Sequence, residues 1–178
     1  MKDFLFGNMR SIDRYRKPIL VDIAKRQYNE FVKRSWSKVH FVELKLCEKV
    51  GKVLEECNKI YHKNSLKLLL AWLESETFAA IVDGDVALCS QAKTYVIRAF
   101  MDETKEELAV ASTDKILSNE AMFWFGYLSM YWCLEYKENG KSILADYDIE
   151  SIIYSYEVLH SLSVKMAIEK IREDYRCG

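Results

Sequence analysis

An apolar segment near the C-terminus constrains the fold more than any other feature. It reads MFWFGYLSMYWCL, and six of the chain's aromatic residues lie between Phe123 and Trp132. Drawn as a helix, the segment has apolar side chains on both faces, which is typical of a helix surrounded by other elements. It is about 13 residues long with charged residues on both sides, which is too short to span a membrane. The segment therefore predicts a central core helix over about 119–136.

The rest of the sequence also favours helices. It contains one proline and six glycines, too few for the many tight turns of a β-sandwich or β-barrel. Its 178 residues suit one domain. We therefore predict an all-α fold, a single-domain bundle of about six to eight helices over 1–178. The alternative is an N-terminal helical half (1–112) with a C-terminal helical subdomain (113–178).

Apolar residues recur at three- and four-residue steps, the period of an amphipathic helix. A helix capped by Ser11 is predicted to run to Arg34, and the glycine at position 51 is expected to let another helix approach the second one closely. The predicted later helices are 40–62, 65–82 with a break at Ser75, 91–101, 103–110, 119–136, one after Asp148, and 164–175.

Cap residues predict where several of these helices begin and end. The predicted N-caps are Asn64 or Ser65, Ser90, Ser118, Ser142, Asp148 and Ser163. Gly140 is predicted to end the aromatic helix in a left-handed conformation. The sequence from Asp83 to Asp85 predicts a turn, with a β-hairpin as the alternative.

Charge is unevenly distributed along the chain. Residues 1–63 contain 15 Lys/Arg and 8 Asp/Glu, a net charge of +7, whereas the remainder contains 11 and 19, a net charge of −8. The basic part could attract an acidic protein or nucleic acid. We favour the simpler interpretations, in which the two parts attract each other or the charges lie on solvated helix faces. The acidic run from Asp102 to Glu107 is likewise interpreted as a solvated first helical turn.

Neither a metal site nor a cofactor is expected. The five cysteines include no CxxC pair, and their odd number suits a reducing, cytoplasmic location. Cys57 and His62 are separated by about 500° on a helix, so they do not share a face.

The alternative hypothesis is an enzyme with an active site near His160. Tyr156, Glu157 and His160 are spaced to share a helix face, and a Glu–His pair can tune an imidazole for acid–base chemistry. A histidine at a helix end more often bonds to terminal carbonyl groups or packs against a tyrosine. We favour that structural role, because no GxSxG, phosphate-binding loop or HExxH motif is present.

A second alternative hypothesis is a nucleic-acid-binding regulator that uses the basic N-terminal helix. Arg26 and Arg34 lie on its predicted basic face, and aromatic residues interleave with the basic ones, as in surfaces that hold phosphates and stack on bases. Acidic residues interrupt the run, and no helix-turn-helix glycine signature is clear. An acidic protein partner fits the same face.

The segment 119–171 has a sequence pattern that resembles a known class of proteins. It contains NEAMFWFGYLSMYW, then GKSI, the tyrosine-led YEVLHS and the closing MAIEKI. This pattern resembles small helical proteins encoded beside toxins in bacterial toxin–antitoxin and mobile-element cassettes. The resemblance covers about the last third of the chain and rests on a hydrophobic pattern with a Leu-His pair. It implies a binding role rather than an enzymatic one.

The leading functional hypothesis is therefore a cytoplasmic, antitoxin-like protein that binds and neutralises or regulates a protein partner. Tryptophan and tyrosine dominate binding hot spots. The predicted contacts are Trp124, Tyr131 and His160 in the C-terminal unit, with Arg26 and Arg34 on the basic face. A toxin is one candidate for the protein partner. The sequence also allows a homodimer formed through an apolar helix face.

Overall fold

The computed structural model describes residues 41–61, 63–109 and 116–177. In these ranges the chain forms helices and no β-strand, which confirms the all-α prediction for them. Eleven helical segments are present, several of them a single turn, so the predicted number of six to eight is not confirmed. They are α1 (Phe41–Tyr61), α2 (Ser65–Glu74), α3 (Glu76–Val82), α4 (Val86–Ser90), α5 (Lys93–Glu103), α6 (Lys105–Ala109), α7 (Asn119–Tyr136), α8 (Gly140–Asp146), α9 (Ile149–Tyr154), α10 (Tyr156–Leu159) and α11 (Val164–Asp174).

Some predictions fall on other residues. The helix predicted from Ser11 to Arg34 lies outside the described ranges, and so does its basic face with Arg26 and Arg34. His62, the second residue of the metal pair considered above, also lies outside them.

The aromatic helix α7 lies at the centre of the described core, as predicted. Eleven of its eighteen residues are buried, on all of its faces. Its main neighbour is α1, and the two backbones touch where Gly126 crosses Gly51. A Cβ atom on Gly126 would lie 2.9 Å from the Gly51 Cα and 2.9 Å from the Val50 carbonyl oxygen. The expectation that Gly51 admits a second helix is confirmed.

Most of the predicted helix starts are confirmed by hydrogen bonds. In each case a side-chain oxygen accepts a bond from a backbone N–H in the first turn, which satisfies a group that the helix itself leaves unpaired. Ser75 also breaks the long helix predicted over 65–82, since it ends α2 and caps α3. The confirmed N-caps are Asn64, Ser118, Asp148 and Ser163.

The prediction that Ser90 caps a helix is wrong. Ser90 is the last residue of α4, and its hydroxyl donates to the Val86 carbonyl oxygen at 2.6 Å. The next helix begins at Lys93, and its N-cap Ala92 makes no side-chain bond. A serine hydroxyl can bond backward to a carbonyl as well as forward to an N–H, and the sequence does not distinguish the two.

The predicted left-handed conformation of Gly140 is also wrong. Lys137, with φ 59°, takes that conformation at the end of α7, and Gly140 is the first residue of α8. Asn139 caps α8, and Ser142 completes a capping box with it instead of starting the helix. The glycine is needed for space, because a Cβ at position 140 would lie 2.0 Å from the Leu73 carbonyl oxygen.

The turn at 83–85 joins α3 to α4, so the hairpin alternative is not found. Gly84 adopts φ 83° there. The acidic run is more structured than expected, because Glu103 caps a neighbouring helix. Its carboxylate accepts bonds from the backbone N–H groups of Glu76 at 2.6 Å and Thr77 at 3.0 Å. In the described ranges, no helix is long and apolar enough to cross a bilayer.

A partly buried polar cluster fastens α11 to α7. Trp132 donates its indole N–H to Glu138 at 2.8 Å, and Arg172 of α11 forms an ion pair with the same carboxylate. The Arg172 guanidinium also lies 4.4 Å from the centre of the Tyr136 ring. The cluster therefore holds the C-terminal helix through a hydrogen bond, a charge pair and a cation–π contact.

Two buried tryptophans allow a matched test of this cluster. Trp132 and Trp72 are 1% and 0% exposed, and among the described residues the Trp72 indole N–H has no hydrogen-bond partner. We expect Trp132→Phe to lower the free energy of unfolding by about 1.5 kcal/mol more than Trp72→Phe, because only Trp132 loses a bond to a charged group. Urea denaturation of the two variants measures the difference. Equal losses would show that the bond to Glu138 contributes nothing net.

Candidate protein-binding surface

Helices α9 and α10 form a nearly continuous helical stretch that ends at Leu159. Its inner side is anchored by Ile152, Ile153 and Leu159, all 6% exposed or less. Anchoring on one side leaves other side chains in solvent: Tyr154 is 69% exposed and Val158 is 67% exposed. The stretch therefore presents apolar side chains to water from a backbone that the core holds in place.

An aromatic group continues this surface onto α7. The Trp124 and Tyr156 rings meet edge to face, with centres 5.6 Å apart, and His160 stacks on Tyr156 with centres 4.6 Å apart. Trp124 and Tyr156 are half-buried, whereas His160 is exposed. We call Trp124, Tyr154, Tyr156, Val158 and His160 together the His160 surface.

His160 has a defined hydrogen bond in this arrangement. Its Nδ1 lies 2.9 Å from the Tyr156 carbonyl oxygen. Because a carbonyl oxygen only accepts hydrogen bonds, Nδ1 carries the proton. The sequence analysis expected a histidine that bonds to a carbonyl at a helix end or packs against a tyrosine, and both contacts are present.

The charged side chains that act on Tyr156 are negative. Burial raises the pKa of Tyr156, and the nearby carboxylates of Glu120 and Glu157 raise it further. Within the described part of the chain, neither glutamate has an ion-pair partner, whereas Glu48 and Glu138 are paired with basic side chains. The aromatic group is thus bordered by negative charge that the described residues do not neutralise.

The predicted contact residues lie in different environments. Trp124 and His160 are brought together through Tyr156. Tyr131 is 5% exposed and stacks on Tyr127 inside the core of α7, so in this conformation it supports the helix. Arg26 and Arg34 lie outside the described residues, and their role stays a prediction.

Two cavities among the described helices lie away from the His160 surface, since both are lined by other residues. One measures about 20 Å³ and is lined by apolar core residues such as Leu69 and Phe125. The other, of about 190 Å³, lies beside Asp83 and Lys141. A general acid or base needs a substrate held within hydrogen-bond reach, and neither cavity places one beside His160.

The cysteines in the described ranges are free thiols, and the inner ones are unreactive. Cys47, Cys57 and Cys133 are buried, and burial raises the pKa of each thiol to about 12. A protonated thiol is a poor nucleophile and a poor metal ligand. Over the same ranges, no group of three or more His, Cys, Asp or Glu side chains could hold a metal ion.

Two members of the surface, Tyr154 and Val158, were missed by the sequence reasoning. They are four residues apart, opposite the stripe formed by Ile152 and Leu159, so helical periodicity alone could have placed them outside. Among the described residues, Glu120 and Glu157 have no ion-pair partner. This has no comparable sequence signal, because it depends on which lysines and arginines other helices bring near.

No family model, curated protein or solved structure matches the chain. The resemblance of 119–171 to antitoxin-like proteins therefore stays a hypothesis, and the function has to be argued from the surface itself.

Proposed function

We propose that this chain is a protein-interaction module that binds and neutralises or regulates a partner protein in the manner of an antitoxin. The observation that carries the proposal is the His160 surface, where Tyr154 and Val158 are exposed beside the Trp124–Tyr156–His160 aromatic group. Aromatic side chains on a rigid support make strong contacts, because little conformational entropy is lost when they are covered.

The size and anchoring of the surface support this role. A standard protein interface buries about 800 Å² on each partner. An interface of that area can cover all five side chains of the His160 surface. Leu159 and Ile152 hold the backbone beneath it in the core. We place the module in the cytoplasm. Among the described residues, helices on both sides of residue 112 share one hydrophobic core, which supports a single domain there rather than a division at residue 112.

Val158→Glu is expected to reduce recovery of the partner from lysate of the native host by at least about tenfold. The substitution places a carboxylate where the proposed interface excludes water, and an unpaired buried charge opposes binding strongly. Val86→Glu is the matched control, because Val86 is also exposed, at 79%, but lies on α4. The measurement is quantitative mass spectrometry of proteins captured by the wild type and the two variants.

A protein recovered equally by all three baits would contradict the use of this surface. Capture of nucleic acid instead, with affinity that falls steeply as salt rises, would favour the alternative role through Arg26 and Arg34.

A further inference from the structure

We infer that Tyr175 is a positioning residue for the His160 surface, because it fastens both ends of a helix that carries that surface. The Tyr175 backbone carbonyl accepts a hydrogen bond from the Asp148 N–H at 3.0 Å, and the Tyr175 hydroxyl donates to the Ser155 hydroxyl oxygen at 2.7 Å. Asp148 and Ser155 are the N-cap and the C-cap of α9. The inference rests on the proposed function and says how the chain keeps the surface in shape for the partner.

The backbone around Tyr175 is itself held in place. After α11 ends, the chain turns back along the segment that precedes α9, and Tyr147 forms an antiparallel β-bridge with Arg176. The Cys177 N–H donates to the Asp146 carbonyl oxygen at 2.8 Å. The Tyr175 side chain is therefore presented to α9 from a short C-terminal segment whose backbone is bonded to the same part of the fold.

The hydrogen bonds of Ser155 link Tyr175 to the break between α9 and α10. Ser155 ends α9 and precedes α10, with φ −91° and ψ 7°. A serine before a helix usually caps it by accepting a bond from an N–H group of the first turn. That cap is absent here: the Ser155 hydroxyl donates to the Ser151 carbonyl oxygen at 3.0 Å and accepts from Tyr175. The break between the two helices is thus tied to the C-terminal segment.

This break sets the relative positions of side chains on the His160 surface. Tyr154 is the last residue of α9 and Tyr156 is the first residue of α10, with only Ser155 between them. The Ser155 carbonyl oxygen also accepts from the Leu159 N–H at 3.0 Å, so Ser155 supports the backbone of α10. Loss of the bond from Tyr175 should therefore loosen α10 and the side chains that it presents.

We expect Tyr175→Phe to raise the hydrogen-exchange rates of the Leu159 and His160 amides about fivefold in the full-length chain. The substitution removes one net hydrogen bond, which shifts a local opening equilibrium by about that factor. Tyr61→Phe is the matched control, because Tyr61 is also half-buried and its hydroxyl donates to the Leu108 carbonyl oxygen at 2.9 Å, between α1 and α6. It should change the same two rates by less than about twofold. Exchange followed by NMR measures all three proteins.

The same two positions test the link to binding. Tyr175→Ala is expected to lower capture of the partner about fivefold, because a loosened α10 has to be ordered again when the partner binds. Tyr61→Ala, which truncates a half-buried tyrosine elsewhere, should lower capture by less than about twofold. A general loss of stability would affect both variants, whereas a positioning role affects only the first.

Equal exchange rates in the wild type and Tyr175→Phe, or the same increase in Tyr61→Phe, would overturn the inference. So would capture that is lost in Val158→Glu and unchanged in Tyr175→Ala, a result that leaves the proposed function intact. Capture that is insensitive to Val158→Glu would instead contradict the proposed function. The exchange rates would still decide whether Tyr175 holds α10, since that measurement needs no partner.

Discussion

Replacing Gly126 with alanine is expected to lower the free energy of unfolding by about 3 kcal/mol. The new Cβ would lie 2.9 Å from both the Gly51 Cα and the Val50 carbonyl oxygen, and neither backbone atom can move aside alone. Helices α1 and α7 would have to separate, which loosens the contact at the centre of the core. Chemical denaturation monitored by circular dichroism measures the loss.

Gly84→Ala is the control for that substitution. A Cβ at position 84 would meet no atom within 4 Å, and the only cost is the positive φ of 83°. We expect a loss of about 1 kcal/mol there. A Gly126→Ala variant that is as stable as Gly84→Ala would show that the two helices do not touch at this crossing.

Asn58→Ala is expected to cost a similar amount, about 3 kcal/mol, by breaking a buried polar network. The Asn58 amide donates to the Leu117 carbonyl oxygen at 3.2 Å and to the Asn119 side chain at 3.0 Å, and it accepts from Ser65 at 2.7 Å. The Ser65 hydroxyl in turn accepts from the Leu117 backbone N–H at 2.8 Å. Alanine would leave several of these groups unpaired, and each such group costs more than a net hydrogen bond contributes.

Asn139→Ala is the matched control for the network. Asn139 is exposed, and its side chain caps α8, a role whose loss costs about 1 kcal/mol. The two unfolding free energies, measured in the same denaturant, should therefore differ by about 2 kcal/mol. Equal losses, or a larger loss in Asn139→Ala, would mean that Asn58 does not fasten the start of α7 to α1 and α2.

Features that depend on neighbouring residues in the chain were predictable. The apolar period placed α1, the continuous apolar segment placed α7, and the caps Asn64, Asp148 and Ser163 were predicted from residue type and position. These features follow from the geometry of a single helix, so the spacing of residues along the sequence is enough to predict them.

Features that depend on distant residues were not predictable in the same way. Gly140 matched the pattern of a helix-ending glycine, yet glycine is needed there because a Cβ atom would collide with the carbonyl oxygen of Leu73, on another helix. Glu103 was expected to be solvated and instead caps α3. In both cases a tertiary contact decides the role, and the residue type alone is compatible with either.

The candidate surface was predictable to a similar extent. The contacts of His160 with Tyr156 follow from their spacing of four residues on one helical stretch. The Trp124 and Tyr156 rings belong to helices that are distant in the chain. Their contact does not follow from any sequence spacing.

Site-specific photo-crosslinking in the native host tests the central claim most directly. A benzophenone amino acid would replace Val158 in one version of the chain and Val86 in another, since both positions are exposed and lie on different helices. The account predicts one protein joined covalently to the chain at position 158 and not at position 86. The absence of any adduct at position 158, or the same adducts at both positions, would contradict it.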